Sequence, residues 1–152
     1  MEDFTNFLFE QWLLSLAFLF IVILIGRSYL EPMLTGVKNI KAQDAVRLMN
    51  DDNTVVLDVR LEKEYKEGHI LDAVHIPVGA LDSRVRELDA YKNSKIVIYC
   101  QTGMRSKQAG GILKKHGFTE MYSIDGGIGA WAAANLPVNK SNKKKGKKSK
   151  ND

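Results

Sequence analysis

The chain has 152 residues, of which 45% are hydrophobic and 26% are charged, and these proportions exclude a wholly disordered or collagen-like protein. The net charge of +4 is uneven: residues 1–37 carry −3, residues 38–138 carry +1 and residues 139–152 carry +6, so the body of the chain does not indicate a nucleic-acid partner. One cysteine excludes an intramolecular disulfide, and three histidines without ligand spacing do not indicate a metal site.

The first predicted element is a helix in an apolar segment. After a short N-terminal segment, residues 1–6, an apolar run covers residues 7–26 with Glu10 as its one charge. A helix needs about 20 apolar residues to cross a bilayer core, and this run has no polar face at helical spacing, so it predicts a transmembrane helix. A helix buried against a partner and a cleaved signal peptide are the alternatives, and the acidic start argues against the second.

Basic residues follow the apolar run, and none precedes it. Arg27, Lys38 and Lys41 lie on its C-terminal side. The positive-inside tendency therefore predicts a single-pass protein of the cell membrane, with its N-terminus outside and the remaining chain in the cytoplasm. Residues 27–39 are predicted to form a juxtamembrane linker, because a proline and a glycine interrupt any helix there.

Residues 40–137 alternate between strands and helices. Short apolar runs with β-branched residues predict strands at residues 54–59, 73–76, 95–99 and 121–124. Helices are predicted at residues 42–50, 62–67, 78–91 and 105–116, with a last short helix around Trp131. This alternation predicts an α/β fold, in which helices cover both faces of a parallel sheet.

The C-terminal residues 138–152 are rich in lysine. From Asn139 onward the segment has no apolar residue, so it cannot bury enough surface to offset the entropy of ordering, and we predict disorder. The lysines from Lys143 to Lys150 are expected either to be solvated or to contact anionic lipid beside the predicted anchor.

The candidate catalytic residue, Cys100, comes directly after the predicted strand at residues 95–99. A tight loop and then a helix follow it, and open α/β sheets bind ligands at this carboxyl edge. The loop N–H groups can form an anion nest, and the helix N-terminus and Arg105 add positive charge. These effects lower the pKa of a thiol, so the pattern predicts a nucleophilic cysteine rather than an inert buried one.

Four motifs in this order resemble the rhodanese (sulfurtransferase) family over nearly 100 residues. They are Leu57-Asp58-Val59-Arg60, Glu67-Gly68-His69-Ile70, the stretch from Tyr99 to Ser106, and the stretch from Asp125 to Trp131. The resemblance implies a five-stranded parallel sheet flanked by helices. It also implies that Cys100 carries sulfur as a persulfide, taken from thiosulfate or a related donor and passed to a thiol or cyanide. No metal or organic cofactor is expected.

The residues expected to bind the sulfur and its donor surround Cys100. They are Gln101, Thr102, Gly103, Met104 and Arg105, with Arg60 as a further candidate for holding an anionic donor. Arg60 has a second interpretation as one half of a structural ion pair. Gln101 departs from the family pattern, because many loops that use thiosulfate have a second arginine there and glutamine supplies no charge.

The length of the loop separates sulfur transfer from phosphate chemistry. Phosphatases and arsenate reductases of similar architecture wrap a tetrahedral oxyanion in a Cys-x₅-Arg loop, whereas Cys100 and Arg105 form the shorter Cys-x₄-Arg. The shorter loop is better suited to a sulfur atom on the cysteine. A docking or sulfur-relay module with a protein partner is the main alternative, and the sequence leaves it open.

Overall fold

The computed structural model describes residues 12–140, which divide into two units between Thr35 and Gly36. The first contains one helix, α1 (Trp12–Thr35). Most of the predicted juxtamembrane linker is therefore helical, and the backbone leaves the helix at Gly36, whose φ of +68° is one that glycine adopts readily.

No helix among residues 12–140 is both long enough and apolar enough to cross a membrane. The transmembrane helix and single-pass anchor predicted for residues 7–26 therefore find no support in the described part of the chain. Residues 7–11 of the prediction lie outside the described residues.

The second unit is built on a five-stranded parallel sheet. Its strands are β1 (Val37–Ile40), β2 (Thr54–Asp58), β3 (Val74–His75), β4 (Lys95–Tyr99) and β5 (Met121–Ile124). They lie in the order β1-β5-β4-β2-β3, and every neighbouring pair is parallel. Val97 marks the centre, opposite Val56 on one side and Tyr122 on the other. The predicted α/β fold with a five-stranded parallel sheet flanked by helices is confirmed.

Helices cover both faces of the sheet. They are α2 (Ala42–Met49), α3 (Glu62–Glu67), α4 (Val78–Arg84) continued by a 3₁₀ helix (Val85–Tyr91), α5 (Met104–Lys115) and α6 (Gly127–Ala133). Side chains alternate along the central strand, so Ile96, Ile98 and Cys100 pack with α4 and α5, while Val97 and Tyr99 pack with α2 and α6. This alternation places the cysteine side chain on the face that α5 covers.

Strand β1 is the element that the sequence analysis missed. Two of its four residues, Lys38 and Asn39, are exposed, because the strand lies at the edge of the sheet. Only Val37 is buried, so the strand has no apolar run to mark it. The sheet begins before residue 40, where the sequence placed the start of the domain. The predicted contact of Lys143–Lys150 with anionic lipid concerns residues that lie outside the described part of the chain.

Candidate active site

Cys100 lies at the carboxyl end of the central strand, where its backbone and sulfur are both held. Its side chain is only 1% exposed. The N–H of Val59 donates to the Tyr99 carbonyl at 3.1 Å, and the N–H of Ile128 donates to the Cys100 carbonyl at 2.9 Å. Both neighbours, β2 and α6, therefore fix the point at which the chain turns into the loop.

The loop after Cys100 folds back over the sulfur. Gly103, at φ +102°, directs its N–H to the Cys100 Sγ at 3.0 Å. Burial raises the pKa of the thiol, but the hydroxyl and N–H of Ser106 and the N–H groups of Thr102 and Gly103 outweigh it, so the pKa lies below the ordinary value. The structure thus brings the predicted nest of donors together around the sulfur.

Ser106 is the residue of this site that the sequence analysis missed. Its hydroxyl oxygen is fully buried and has no partner of regular hydrogen-bond geometry among the described residues. It nevertheless stabilises the thiolate, so the hydroxyl lies close to the sulfur without forming a well-aligned hydrogen bond to it. The signal that points to it is a hydroxyl residue in the first turn of the helix that follows the cysteine loop.

Arg105 forms an ion pair with Glu64. Its Nη1 lies 2.6 Å from Oε2 of Glu64, and its Nη2 lies 3.4 Å from Oε1. The hydrogen bond from Arg105 holds the pKa of the Glu64 carboxyl below its ordinary value, so both groups are charged at neutral pH. The positive charge that the sequence assigned to the sulfur site is therefore shared with a carboxylate.

Arg60 is part of a buried cluster. Its Nε and Nη2 donate to Oδ2 of Asp58 at 3.0 and 2.7 Å, and Nη2 also donates to the Gly68 carbonyl at 2.6 Å. Its guanidinium lies 5.4 Å from the centre of the Tyr99 ring. This geometry favours the structural ion pair over a role in holding an anionic donor, because these partners already engage the guanidinium.

A cavity of about 270 Å³ opens beside the loop. Its lining residues are Arg60, Glu64, Glu67, Gly68, Gln101, Ile128, Gly129, Ala132 and Val138. Gln101 thus faces this cavity. Met104, another predicted binding residue, begins α5 and exposes 75% of its surface to solvent. The cavity mouth therefore combines two carboxylates, one arginine already paired with Asp58 and an uncharged loop.

The start of α6 packs directly against the cysteine loop. A Cβ atom on Gly127, at φ +59°, would collide with the Cys100 carbonyl oxygen and lie 2.7 Å from the carbonyl carbon and oxygen of Gln101. Only a residue without a side chain fits here, because the backbones of α6 and the loop approach each other closely. The start of α6 and the cysteine loop are therefore in direct backbone contact.

Comparisons with known proteins agree with this architecture. The profile of the rhodanese-like domain family matches residues 41–134. The protein YibN of Escherichia coli is 26% identical over 139 residues, which are 91% of this chain and 97% of YibN. A sulfurtransferase of Allochromatium vinosum is 35% identical over 92 residues, covering 60% of this chain and 84% of that protein. A rhodanese-related protein of Thermoplasma volcanium superposes with a TM-score of 0.61 at 28% identity, over 67% of this chain and 97% of that one.

The fold and the loop around a buried cysteine define an α/β domain of the sulfurtransferase type. The chain belongs to the rhodanese-like domain family. The matched residues, 41–134, include strands β2 to β5 and the whole cysteine loop.

Proposed function

We propose that the chain is a sulfurtransferase that moves sulfane sulfur through a persulfide on Cys100. The Cys100 thiolate attacks the outer sulfur of a donor, for which thiosulfate is the reference compound. A bond forms between the two sulfurs, the S–S bond of the donor breaks, and sulfite leaves with the electron pair. A thiol or cyanide then attacks the outer sulfur of the persulfide and regenerates the thiolate. The two half-reactions predict ping-pong kinetics.

The observation that carries this proposal is the set of donors around the sulfur. N–H groups of Thr102, Gly103 and Ser106 and the Ser106 hydroxyl all stabilise negative charge on Cys100. A persulfide anion bears its charge at the same end of the side chain, so the same groups stabilise the product of the first half-reaction. The Ser106 hydroxyl is buried and lacks a well-aligned partner in the resting site, so it is a donor that an added sulfur could engage.

A sulfur relay with a protein partner is the second candidate. The pairing of Arg105 with Glu64 favours it, because thiosulfate is a dianion and the site offers it little uncompensated positive charge. Exposed apolar side chains beside the ion pair, Leu61 and Met104, provide contact area for a partner. Turnover of thiosulfate with cyanide, compared with turnover that depends on a cysteine desulfurase, distinguishes the two candidates.

Substitution of the cysteine tests the nucleophile. Cys100→Ser is expected to abolish sulfur transfer, because the sequence contains no other thiol. Mass spectrometry of the wild-type protein after thiosulfate treatment should show the mass of one added sulfur, and a reducing thiol should remove it. Sulfur transfer at the wild-type rate by the serine variant would rule out the persulfide mechanism.

We propose that the protein acts at the cytoplasmic side of the cell membrane. The support is the apolar run at residues 7–26, the basic residues after it and the unpaired Cys100, which a reducing compartment preserves. The large apolar side chains from Trp12 to Ile25 are between 46% and 70% exposed. Contact with lipid would remove this apolar surface from water. The test is whether residues 1–35 are needed for sedimentation with membranes.

A further inference from the structure

The carboxylate of Glu64 is held beside Arg105 from two directions. The guanidinium contacts it at 2.6 Å, and the N–H of Leu61 donates to the same carboxylate oxygen at 2.8 Å. The second contact is part of a capping arrangement, in which the side chain of Glu64, the third residue of α3, accepts from the N–H of the preceding N-cap residue, Leu61. The start of α3 therefore orients Glu64 toward α5, and the ion pair does not depend on two freely rotating side chains.

The remaining mouth of the site adds no net positive charge. Its charged lining residues are Arg60, Glu64 and Glu67, and Arg60 is already paired with Asp58. The loop presents the uncharged Gln101 to the cavity. A small dianion therefore meets one shared guanidinium and two carboxylates, which is an unfavourable electrostatic surface for its approach.

We propose that Glu64 is a specificity-determining residue, which disfavours small dianionic sulfur donors and favours sulfane sulfur on an organic group with at most one negative charge. The inference rests on the proposed Cys100 persulfide. With an organic persulfide as donor, the thiolate of Cys100 attacks the outer sulfur, the S–S bond of the donor breaks, and the organic thiolate leaves with the electron pair. No oxidant or reductant is consumed.

Two donors with the same reacting group test the proposal. Thiosulfate carries two negative charges and benzenethiosulfonate carries one, and both transfer an outer sulfur by cleavage of one S–S bond. Glu64→Gln removes the carboxylate charge but keeps an oxygen that accepts from the Leu61 N–H. We expect kcat/KM for thiosulfate to rise by about tenfold and that for benzenethiosulfonate to rise less, so the ratio of the two shifts toward thiosulfate.

A matched variant separates release of Arg105 from a general change of charge. Glu67→Gln removes an equal charge from the lining of the same cavity but leaves Arg105 paired, so the donor ratio should shift toward thiosulfate by much less than in Glu64→Gln. The double variant Glu64→Gln/Arg105→Gln should return the ratio to the wild-type value. An unchanged ratio in Glu64→Gln, or an equal shift in Glu67→Gln, overturns the proposal.

If Glu64→Gln does not fold, Arg105→Gln tests the same pair in the opposite direction, because an unpaired Glu64 carboxylate should lower the ratio below the wild-type value. Failure of the proposed function gives a different result: mass spectrometry would then show no added sulfur on the wild-type chain with either donor.

Discussion

At Cys100, burial and hydrogen bonding act in opposite directions on the thiol. Burial favours the neutral form, whereas the donors of Ser106, Thr102 and Gly103 favour the thiolate and prevail, so the pKa is lowered. The lowered pKa links ionisation to folding. This contribution to the free energy of unfolding is complete above the pKa of an ordinary thiol, and it disappears as the pH falls through the lowered pKa of the folded protein.

Ser106→Ala should raise the pKa of Cys100, because it removes a hydroxyl that stabilises the thiolate. At a pH below the pKa of Cys100, the rate of alkylation by iodoacetamide should fall by about threefold, less than the loss of one well-aligned hydrogen bond to a charged acceptor would cost. The measurement is the pH profile of alkylation, and its midpoint should move to higher pH.

Thr102→Ala is the matched control for Ser106→Ala. It also removes a hydroxyl beside the loop, but Thr102 stabilises the thiolate through its N–H, which the variant keeps. Its alkylation profile should coincide with that of the wild type. A Ser106→Ala profile that also coincides with the wild type would contradict the assigned role of the hydroxyl.

At the scale of elements, the geometry of the site depends on β4, α5 and α6. Strand β4 ends directly before Cys100, and α5 begins at Met104 directly after the left-handed Gly103, so the N–H of Ser106 in its first turn faces the sulfur. Helix α6 closes the arrangement from the other side through the hydrogen bond from Ile128 to the Cys100 carbonyl. The position of the loop therefore depends on the elements at both of its ends as well as on the residues of the loop.

Gly127→Ala should disrupt this junction. A Cβ at φ +59° is strained and collides with the backbone of Cys100 and Gln101, so the free energy of unfolding should fall by at least about 2 kcal/mol. Sulfur transfer should slow as well, because the displaced α6 no longer fixes the Cys100 carbonyl. Urea unfolding and the rate of persulfide formation measure the two effects.

A second glycine in a helix provides the contrast. Gly111 lies inside α5 with nothing within 4 Å of an added Cβ. Gly111→Ala should therefore stabilise the protein by about 0.5–1 kcal/mol through helix propensity alone. Equal effects of the two substitutions on stability would show that the close approach at Gly127 is not what requires glycine there.

At the scale of the whole molecule, the net positive charge, the apolar run and the candidate site lie in different segments of the chain. The net positive charge is concentrated in residues 139–152, and the apolar run of residues 7–26 precedes the unit that contains the site. The sheet, its covering helices and the cysteine loop all belong to the unit that begins at Gly36.

Removal of residues 1–35 should release the protein from membranes and leave sulfur transfer intact. The full chain is expected to sediment with membranes, whereas fragment 36–152 is expected to stay in the supernatant and to accept one sulfur from a donor, because it keeps the complete sheet and loop. Ultracentrifugation followed by mass spectrometry measures both properties. A full chain that stays in the supernatant contradicts the proposed location.

Fragment 41–152 is the matched control for fragment 36–152. It lacks β1, which pairs with β5 and buries Val37 to 4% exposure. Loss of this strand uncovers the edge of β5 and removes about 2 kcal/mol of apolar burial. The shorter fragment should therefore unfold at lower urea concentration or aggregate, and equal stability of the two fragments would show that β1 is dispensable.

The sequence by itself determined the central strands and the position of the cysteine. The β-branched runs that became β2 and β4 are buried on both faces, so their pattern is local and readable, and Cys100 follows the end of β4 by one residue. The glycine at 103 and the cations in the last turn of α5 mark the loop and the helix end in the same local way. The family resemblance rests on these same motifs.

Only the tertiary structure decided which side chains meet around the sulfur. Glu64 and Arg105 are 41 residues apart, and nothing local to either residue indicates their pairing. The contact of Gly127 with the Cys100 carbonyl and the buried, poorly aligned hydroxyl of Ser106 likewise depend on how α5 and α6 pack on the sheet. Local patterns specify elements because they depend on neighbours in the chain, whereas the charge of a site depends on groups that folding brings together from distant positions.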